Sequence, residues 1–160
     1  MRHRGARVEL LDGDAIRETF SKGLGFSKAD RDENVRRTAC VAALLADQGV
    51  TVLVSLISPY RAARKLARKR IEKAGISFLE VYVNAPIDVC AWRYPKGLYR
   101  KAKRGEIPAF TGVVDPYEEP GSPDVECRTD LESVEISTAR VLNAIAGNQS
   151  VTAMREHAGR

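Results

Sequence analysis

A chain of 160 residues that is 44% hydrophobic and carries a formal net charge of +5 is long enough for one domain with its own core. No apolar run approaches the about 18 residues that a membrane span needs, and the opening MRHRGARVELLDGD lacks the apolar centre of a signal peptide, so a cytoplasmic protein is expected. Cys40, Cys90 and Cys127 are odd in number and widely spaced, which excludes a disulfide framework or a zinc pattern and leaves three reduced, structural thiols.

Arg7–Leu11 reads as a strand that ends at the turn Asp12-Gly13-Asp14. Ala15–Phe20 reads as a short helical turn, and Gly23 and Gly25 mark a loop. Ser27, with Asp30 three residues on, is a variant capping box that starts a helix. Val35, Ala39, Ala42 and Leu45 continue it, and Gly49 ends it. Val50–Ile57 is nearly all apolar and β-branched, the pattern of a strand buried on both faces of a parallel sheet. The pair Ser58-Pro59 predicts an N-cap and first position for a helix carried by Leu66, Arg70 and Ile71 and closed by Gly75.

Phe78–Val83 predicts a third strand, Pro86–Trp92 a helix and Lys96–Arg104 a basic helical segment. Residues 107–123 are rich in Gly, Pro and Asp and read as loop, with a short strand at Val125–Cys127. Leu131–Ile145 predicts a last amphipathic helix with Val134, Val141, Leu142 and Ile145 inward. The expected organisation is one domain over residues 1–146 and a frayed tail over 147–160. Strand and helix alternate throughout, so the fold class is α/β, built from βαβ units.

The basic runs Arg61–Arg70 and Tyr99–Arg104 are most simply solvated helix faces. A nucleic acid or a small polyanion is the functional alternative. Aromatic residues make up 6% of the chain and do not interleave with these runs, which disfavours a stacking platform for single strands and makes nucleic acid a weak expectation.

Ligands of open α/β sheets bind beyond the carboxyl ends of the strands, and three polar groups fall there. The first is Asp12-Gly13-Asp14, the second Ser58-Pro59-Tyr60, and the third leads to Arg93 and Lys96. Asp14 can orient a hydroxyl, accept its proton or hold a metal-bound water; equally it can cap a helix. Arg17 can pair with a phosphate or with a surface carboxylate such as Glu18. Phe26 can be a hydrophobic staple or can stack on a base. Arg31 and Asn34 share one helix face, and Asn34 suits a helix poorly unless it binds something. Ser58 joins a hydroxyl to a helix N-terminus that favours anions, although a plain N-cap explains it as well.

These residues fall into LDGDAIR (Leu11–Arg17), GLGFSKADRDENVRR (Gly23–Arg37), SLISPYRAAR (Ser55–Arg64), KGLYRKAKRGEIPAFTG (Lys96–Gly112) and DPYEEP (Asp115–Pro120). Together and in this order they resemble the adenylylsulfate kinase family, which uses ATP to phosphorylate the 3′-hydroxyl of adenosine 5′-phosphosulfate (APS). The resemblance runs from about Arg7 to Ile145. It implies a three-layer P-loop-kinase-like domain with a mainly parallel sheet.

By the same resemblance Asp14 lies near the 3′-hydroxyl and, through water, near Mg2+. Arg17, Arg31 and Asn34 grip the phosphosulfate. Phe26 and Phe110 clasp the adenine of APS, and Ile57 offers it backbone contacts. Ser58 matches the serine described in the family as a phosphoserine intermediate, although phosphoryl transfer favours direct in-line attack. Lys96 binds APS from a mobile lid, and Arg93 contacts the ATP base. Tyr94 departs from the acidic residue expected before Pro95-Lys96. A homodimer and an association with ATP sulfurylase are the implied assemblies.

Members of this family carry a strand, a G-x-x-x-x-G-K-[ST] loop and a helix ahead of the LDGD strand. That loop cradles the ATP phosphates. In this chain Met1–Ala6 matches only the end of that helix, so the first, central strand and the loop are expected to be missing. A misassigned start and a truncated copy are the favoured explanations, with impaired turnover as the consequence. The alternative is a non-catalytic APS-binding or regulatory protein, pairing with a full-length relative.

Overall fold

The computed structural model describes residues 5–93, 98–104, 106, 111–112 and 115–158. It divides into two compact units, Met1–Phe78 and Leu79–Arg160.

The first unit contains β1 (Val8–Asp12), α1 (Gly13–Glu18), α2 (Lys28–Asp47), β2 (Thr51–Ser55) and α3 (Arg61–Lys73). β1 and β2 pair in parallel from Val8 opposite Thr51 to Asp12 opposite Ser55. A parallel pair needs a long crossover, and α1 and α2 supply it. Ser27 caps α2 as expected, its hydroxyl accepting from the Asp30 amide at 3.2 Å. Gly49 stops the helix with φ of 72°, a backbone angle that glycine adopts without steric cost.

The buried stripe of α2 is Arg31, Asn34, Val35, Thr38, Ala39 and Ala42. From its apolar part, Val35 joins Tyr60 and Ala63 in a small core against which Leu56 and Ala67 pack.

Three expectations are corrected in this unit. α3 begins at Arg61 with Tyr60 as its N-cap, so Ser58 is not the cap and Pro59 is not the first helical residue. The physical reason is tertiary. Pro59 and Tyr60 are buried, and their packing carries the chain past Ser58 before the helix can start. β2 is shorter than the apolar run, and its Leu53 and Val54 are exposed rather than covered on both faces. Among the described residues its one ladder partner is β1. Leu66 is likewise exposed, while Ile71 carries the inward face of α3.

The second unit contains β3 (Val81–Asn84), α4 (Ile87–Arg93), α5 (Leu98–Lys103), β4 (Val125–Arg128) and α6 (Val134–Ala158). β3 and β4 pair in parallel from Val81 opposite Val125 to Asn84 opposite Arg128. Reciprocal bonds between Glu80 and Asp124 at 2.7 and 3.0 Å fix where that ladder begins. Tyr82 stacks on Tyr117, with centroids 6.1 Å apart. β4 alternates as a half-covered strand should: Val125 and Cys127 are buried, Glu126 and Arg128 exposed.

The last helix starts at Val134, later than expected, and runs past Gly147 to Ala158. Val134 and Leu142, expected to face inward, are 76% and 41% exposed. The α/β class with parallel strands holds, and among the described residues the strands form two parallel pairs, β1–β2 and β3–β4. All three cysteines are free. Among the described residues no helix is long and apolar enough to cross a membrane.

Candidate functional site

The site is built in the first unit, where the chain leaves the carboxyl ends of β1 and β2. Asp12 closes β1 and caps α1, its carboxylate accepting from the amides of Asp14 and Ala15 at 3.0 and 3.3 Å. Because Asp12 takes the capping role, Asp14 does not, and its exposed carboxylate stands in the first turn of α1. Gly13 lies between them for a reason of space. A β-carbon there would sit 3.0 Å from the Ser55 carbonyl and 3.1 Å from Leu56, tighter than a side chain ordinarily tolerates.

Arg17, one turn further along α1, donates to the carbonyl oxygens of Leu24 and Gly25 at 3.4 and 3.0 Å. Arg31, at the fourth position of α2, donates to the Phe26 carbonyl at 2.9 Å. Arg37 reaches the Phe20 carbonyl at 2.9 Å. Three guanidiniums therefore hold the loop 20–26 by its backbone.

Phe26 sits immediately before the Ser27 cap, where a hydrophobic staple would pack on the fourth helical residue. That residue is Arg31, so the staple is a cation over an aromatic ring. The Arg31 and Arg17 guanidinium carbons lie 5.6 and 4.5 Å from the Phe26 centroid. The ring remains 55% exposed. Burial lowers the Arg17 pKa from its ordinary value, and the neighbouring Arg31 charge lowers it further, while Asp30 and Asp14 oppose the shift. Two cations crowded at one aromatic ring make a place that an anion attached to a planar ring would relieve.

Asn34 is one turn beyond Arg31 on the same stripe. The two residues are 5% and 7% exposed. The Asn34 Oδ1 atom is buried without a hydrogen-bond partner among the described residues. An orphaned acceptor of this kind is uncommon in a folded interior.

Beyond β2, Ile57 is exposed and Ser58 half-buried. Ser58 takes φ of 41°, a left-handed angle rare outside glycine, and its carbonyl accepts from Arg64 at 2.6 Å. The structure thus brings Arg17, Phe26 and Arg31 into contact and sets Asp14 close enough for its charge to act on Arg17. Asn34 shares the Arg31 stripe, and the Ile57–Ser58 loop joins the group through the Gly13–Ser55 approach.

Arg93 belongs to the second unit, where it ends α4 and donates to the Thr129 carbonyl at 2.7 Å. Lys96 and Phe110, and with them Tyr94, lie outside the described residues. Among the described residues no group of three His, Cys, Asp or Glu is arranged to hold a metal ion.

Several contributors were not singled out beforehand. Arg37 entered only as the last residue of a motif, Arg64 as part of a solvated basic run, and Tyr60 as the end of the polar group after β2 rather than a core residue. The one usable signal was glycine itself. A Gly between two Asp directly after a strand marks a close backbone approach.

Comparison with known proteins places the chain among relatives. The family model described as Adenylylsulphate kinase matches residues 1–128. An adenylyl-sulfate kinase of Microcystis aeruginosa is 55% identical over 141 residues, covering 88% of this chain and 76% of that protein. Among solved structures, the Mycobacterium tuberculosis APS kinase CysC in complex with AMPPNP and APS is similar with a TM-score of 0.86. It is 45% identical, with coverage of 90% of this chain and 83% of that one. A hexameric APS kinase from Thiobacillus denitrificans matches with a TM-score of 0.65 and 29% identity, over 89% of this chain and 23% of that one.

Proposed function

We propose a function on this premise: the chain belongs to the adenylylsulphate kinase family, a family of phosphotransferases. The reaction is transfer of the ATP γ-phosphoryl group to the 3′-hydroxyl of APS, giving ADP and 3′-phosphoadenosine 5′-phosphosulfate, a step of sulfate activation. One observation carries the APS half of this reading. Arg17 and Arg31 crowd an exposed Phe26 ring and leave a positive, aromatic surface beside the exposed carboxylate of Asp14.

In this reading Phe26 stacks on the adenine of APS, and Arg17 and Arg31 neutralise its phosphosulfate. Asn34 gives its orphaned amide oxygen a donor on the ligand. The peptide groups at Ile57 and the hydroxyl of Ser58 contact the nucleotide from the β2 side. Asp14 orients the 3′-hydroxyl and accepts its proton as it attacks in line. Lys96 and Phe110 complete the APS contacts, and Arg93 contacts the ATP base. The catalytic domain is residues 1–146, with 147–160 as a tail. A cytoplasmic location, a homodimer and an association with ATP sulfurylase belong to the same proposal.

Mg2+ accompanies ATP in this chemistry, and the donor set present fits it. Hard oxygen from one carboxylate, Asp14 acting through water, suffices when phosphates supply the remaining ligands. When bound, the ion neutralises charge on the transferring phosphoryl group.

No G-x-x-x-x-G-K-[ST] sequence occurs in these 160 residues. A polypeptide of this span is therefore expected to bind APS while turning over weakly, since amides and a lysine of that kind hold the ATP phosphates. A second reading, an APS-binding regulatory partner of a full-length relative, is supported by the same Arg17, Phe26 and Arg31 surface.

Isothermal titration with APS tests the first reading. Arg31→Ala should weaken binding by about 2–4 kcal/mol, roughly 30- to 1,000-fold, because it strips a buried cation from an anion. A well-folded 160-residue chain that takes up no APS rejects both readings. Rapid ATP-dependent formation of the 3′-phosphorylated product rejects the second.

A further inference from the structure

We propose that Arg64 is a positioning residue for the loop after β2, holding Ser58 in a backbone conformation that serine does not keep unaided. Its consequence for APS rests on the function proposed above; its geometry does not. Ser58 has φ of 41°. In this region the β-carbon of an L-residue crowds the following carbonyl oxygen, and residues other than Gly, Asn and Asp avoid it. Sequence offers no local reason for it, because a serine before a proline ordinarily prefers extended backbone.

Two anchors hold the loop from either side. Leu56 and Tyr60 pack with Val35 and Ala63, and the Lys28 ammonium covers the Tyr60 ring at 4.6 Å. Between them the Arg64 Nη1 atom donates to the Ser58 carbonyl at 2.6 Å, a short charge-assisted bond. Arg64 is itself fixed by its amide, which donates to the Tyr60 carbonyl at 3.2 Å in the first turn of α3.

The ladder sets Asp12 opposite Ser55, so the loop leaves β2 level with the start of α1. Relaxing Ser58 to an ordinary φ would swing the peptide planes beside it. Both the Ser58 hydroxyl and the Ile57 backbone would then turn away from that level. A ligand gripped there would meet a competent loop in only a fraction of molecules, and its apparent affinity would fall by that fraction.

Glycine provides the test, because it adopts φ of 41° without steric cost and should not need the guanidinium. Four proteins are compared: the unaltered chain, Arg64→Ala, Ser58→Gly and the double variant. Arg64→Ala should weaken APS binding about tenfold, the scale of one strained backbone residue, and lower the melting temperature by about 2–4 °C. On the Ser58→Gly background the same change should weaken binding no more than about twofold, a non-additivity diagnostic of direct coupling.

Equal losses on both backgrounds overturn the proposal, since a merely structural arginine would be missed alike by serine and glycine. Should Arg64→Ala not fold, Arg64→Lys and Arg64→Gln replace it on both backgrounds, with the same outcomes deciding. Melting requires no APS. Coupling in the melting temperatures without APS binding by any variant would keep Arg64 in its role and reject the proposed function. APS binding indifferent to Arg64 on the serine background would do the reverse.

Discussion

α2 and α6 are long helices of 20 and 25 residues, and they use their surfaces in opposite ways. α2 buries Arg31, Asn34 and Thr38 on the same stripe as Val35, Ala39 and Ala42. α6 leaves Val134, Ile136 and Leu142 exposed, and polar groups tie its first turns to its own unit. Arg140 donates to the Glu126 carbonyl at 2.5 Å and pairs with Glu132 at 2.7 Å, while Ser137 donates to Glu132 at 2.9 Å. Burying polar side chains costs stability unless they are paired. A helix that places an asparagine and an arginine where valine or leucine would pack better has given up stability for something else. The lesson is that the informative helix is the one whose buried stripe is partly polar, not the one with the clearest apolar stripe.

Substitutions can break or sharpen this contrast. The largest stability effect belongs to the apolar half of the α2 stripe: Val35→Ala should cost about 2 kcal/mol, because it opens a void beside Tyr60 and Ala63. Denaturant unfolding measures it, and a cost below about 0.5 kcal/mol would mean that this core is too loose to hold the site. Asn34→Leu should act in the opposite direction. It removes a buried acceptor that has no partner among the described residues and should raise stability by about 1 kcal/mol. APS binding should be lost in the same variant. A destabilised variant would show that the amide is satisfied and structural.

The third test concerns acid. Glu33 is held down to a pKa of about 2, chiefly by its hydrogen bonds from Arg36 and then Arg37. A depressed carboxylate contributes stability that is fully present above its ordinary value of 4.5 and is lost as pH falls through about 2. Thermal melts between those limits should therefore drop with acid, and Glu33→Gln should flatten that slope. The smallest effect is expected on the other helix. Leu142→Ala should change stability by no more than about 0.5 kcal/mol, as at an ordinary surface position. A cost matching that of Val35→Ala would show that α6 is covered in the working protein, and the contrast would fail.

The parts of this fold that could be read from residues are those decided within a few positions of the chain. Ser27 with Asp30, and Gly49 after α2, act through their own backbone neighbours, so their signals survive tertiary context. The strand after Gly49 was legible in kind for the same reason. Errors arose where distant packing overrules a local preference. Ser58-Pro59 has the form of a helix start, yet burial of Pro59 and Tyr60 moves the start to Arg61. Covering of both β2 faces and an inward Leu142 were inferred from apolar pattern, which records what could be buried and not what is.

In the site, Arg17, Phe26, Arg31 and Asn34 were legible as residue types. Beyond the shared helix face of Arg31 and Asn34, their arrangement was not, because a cationic staple and a guanidinium clasp on loop carbonyls leave no periodic trace in the sequence. Arg64 was invisible for a related reason. One arginine in a basic run looks like its neighbours until its carbonyl partner is known.

The close approach of Gly13 to Ser55 has a mechanical consequence. With 3.0 Å left for a β-carbon, any larger residue at position 13 acts as a wedge driven into the far end of the β1–β2 ladder. Prising Asp12 from Ser55 would tilt Asp14 and Arg17 along with α1 and shift the Ser58 loop the other way. Asp14 and Arg17 on one side and the Ser58 loop on the other are therefore hinged on one glycine, and neither can be re-aimed without moving the other.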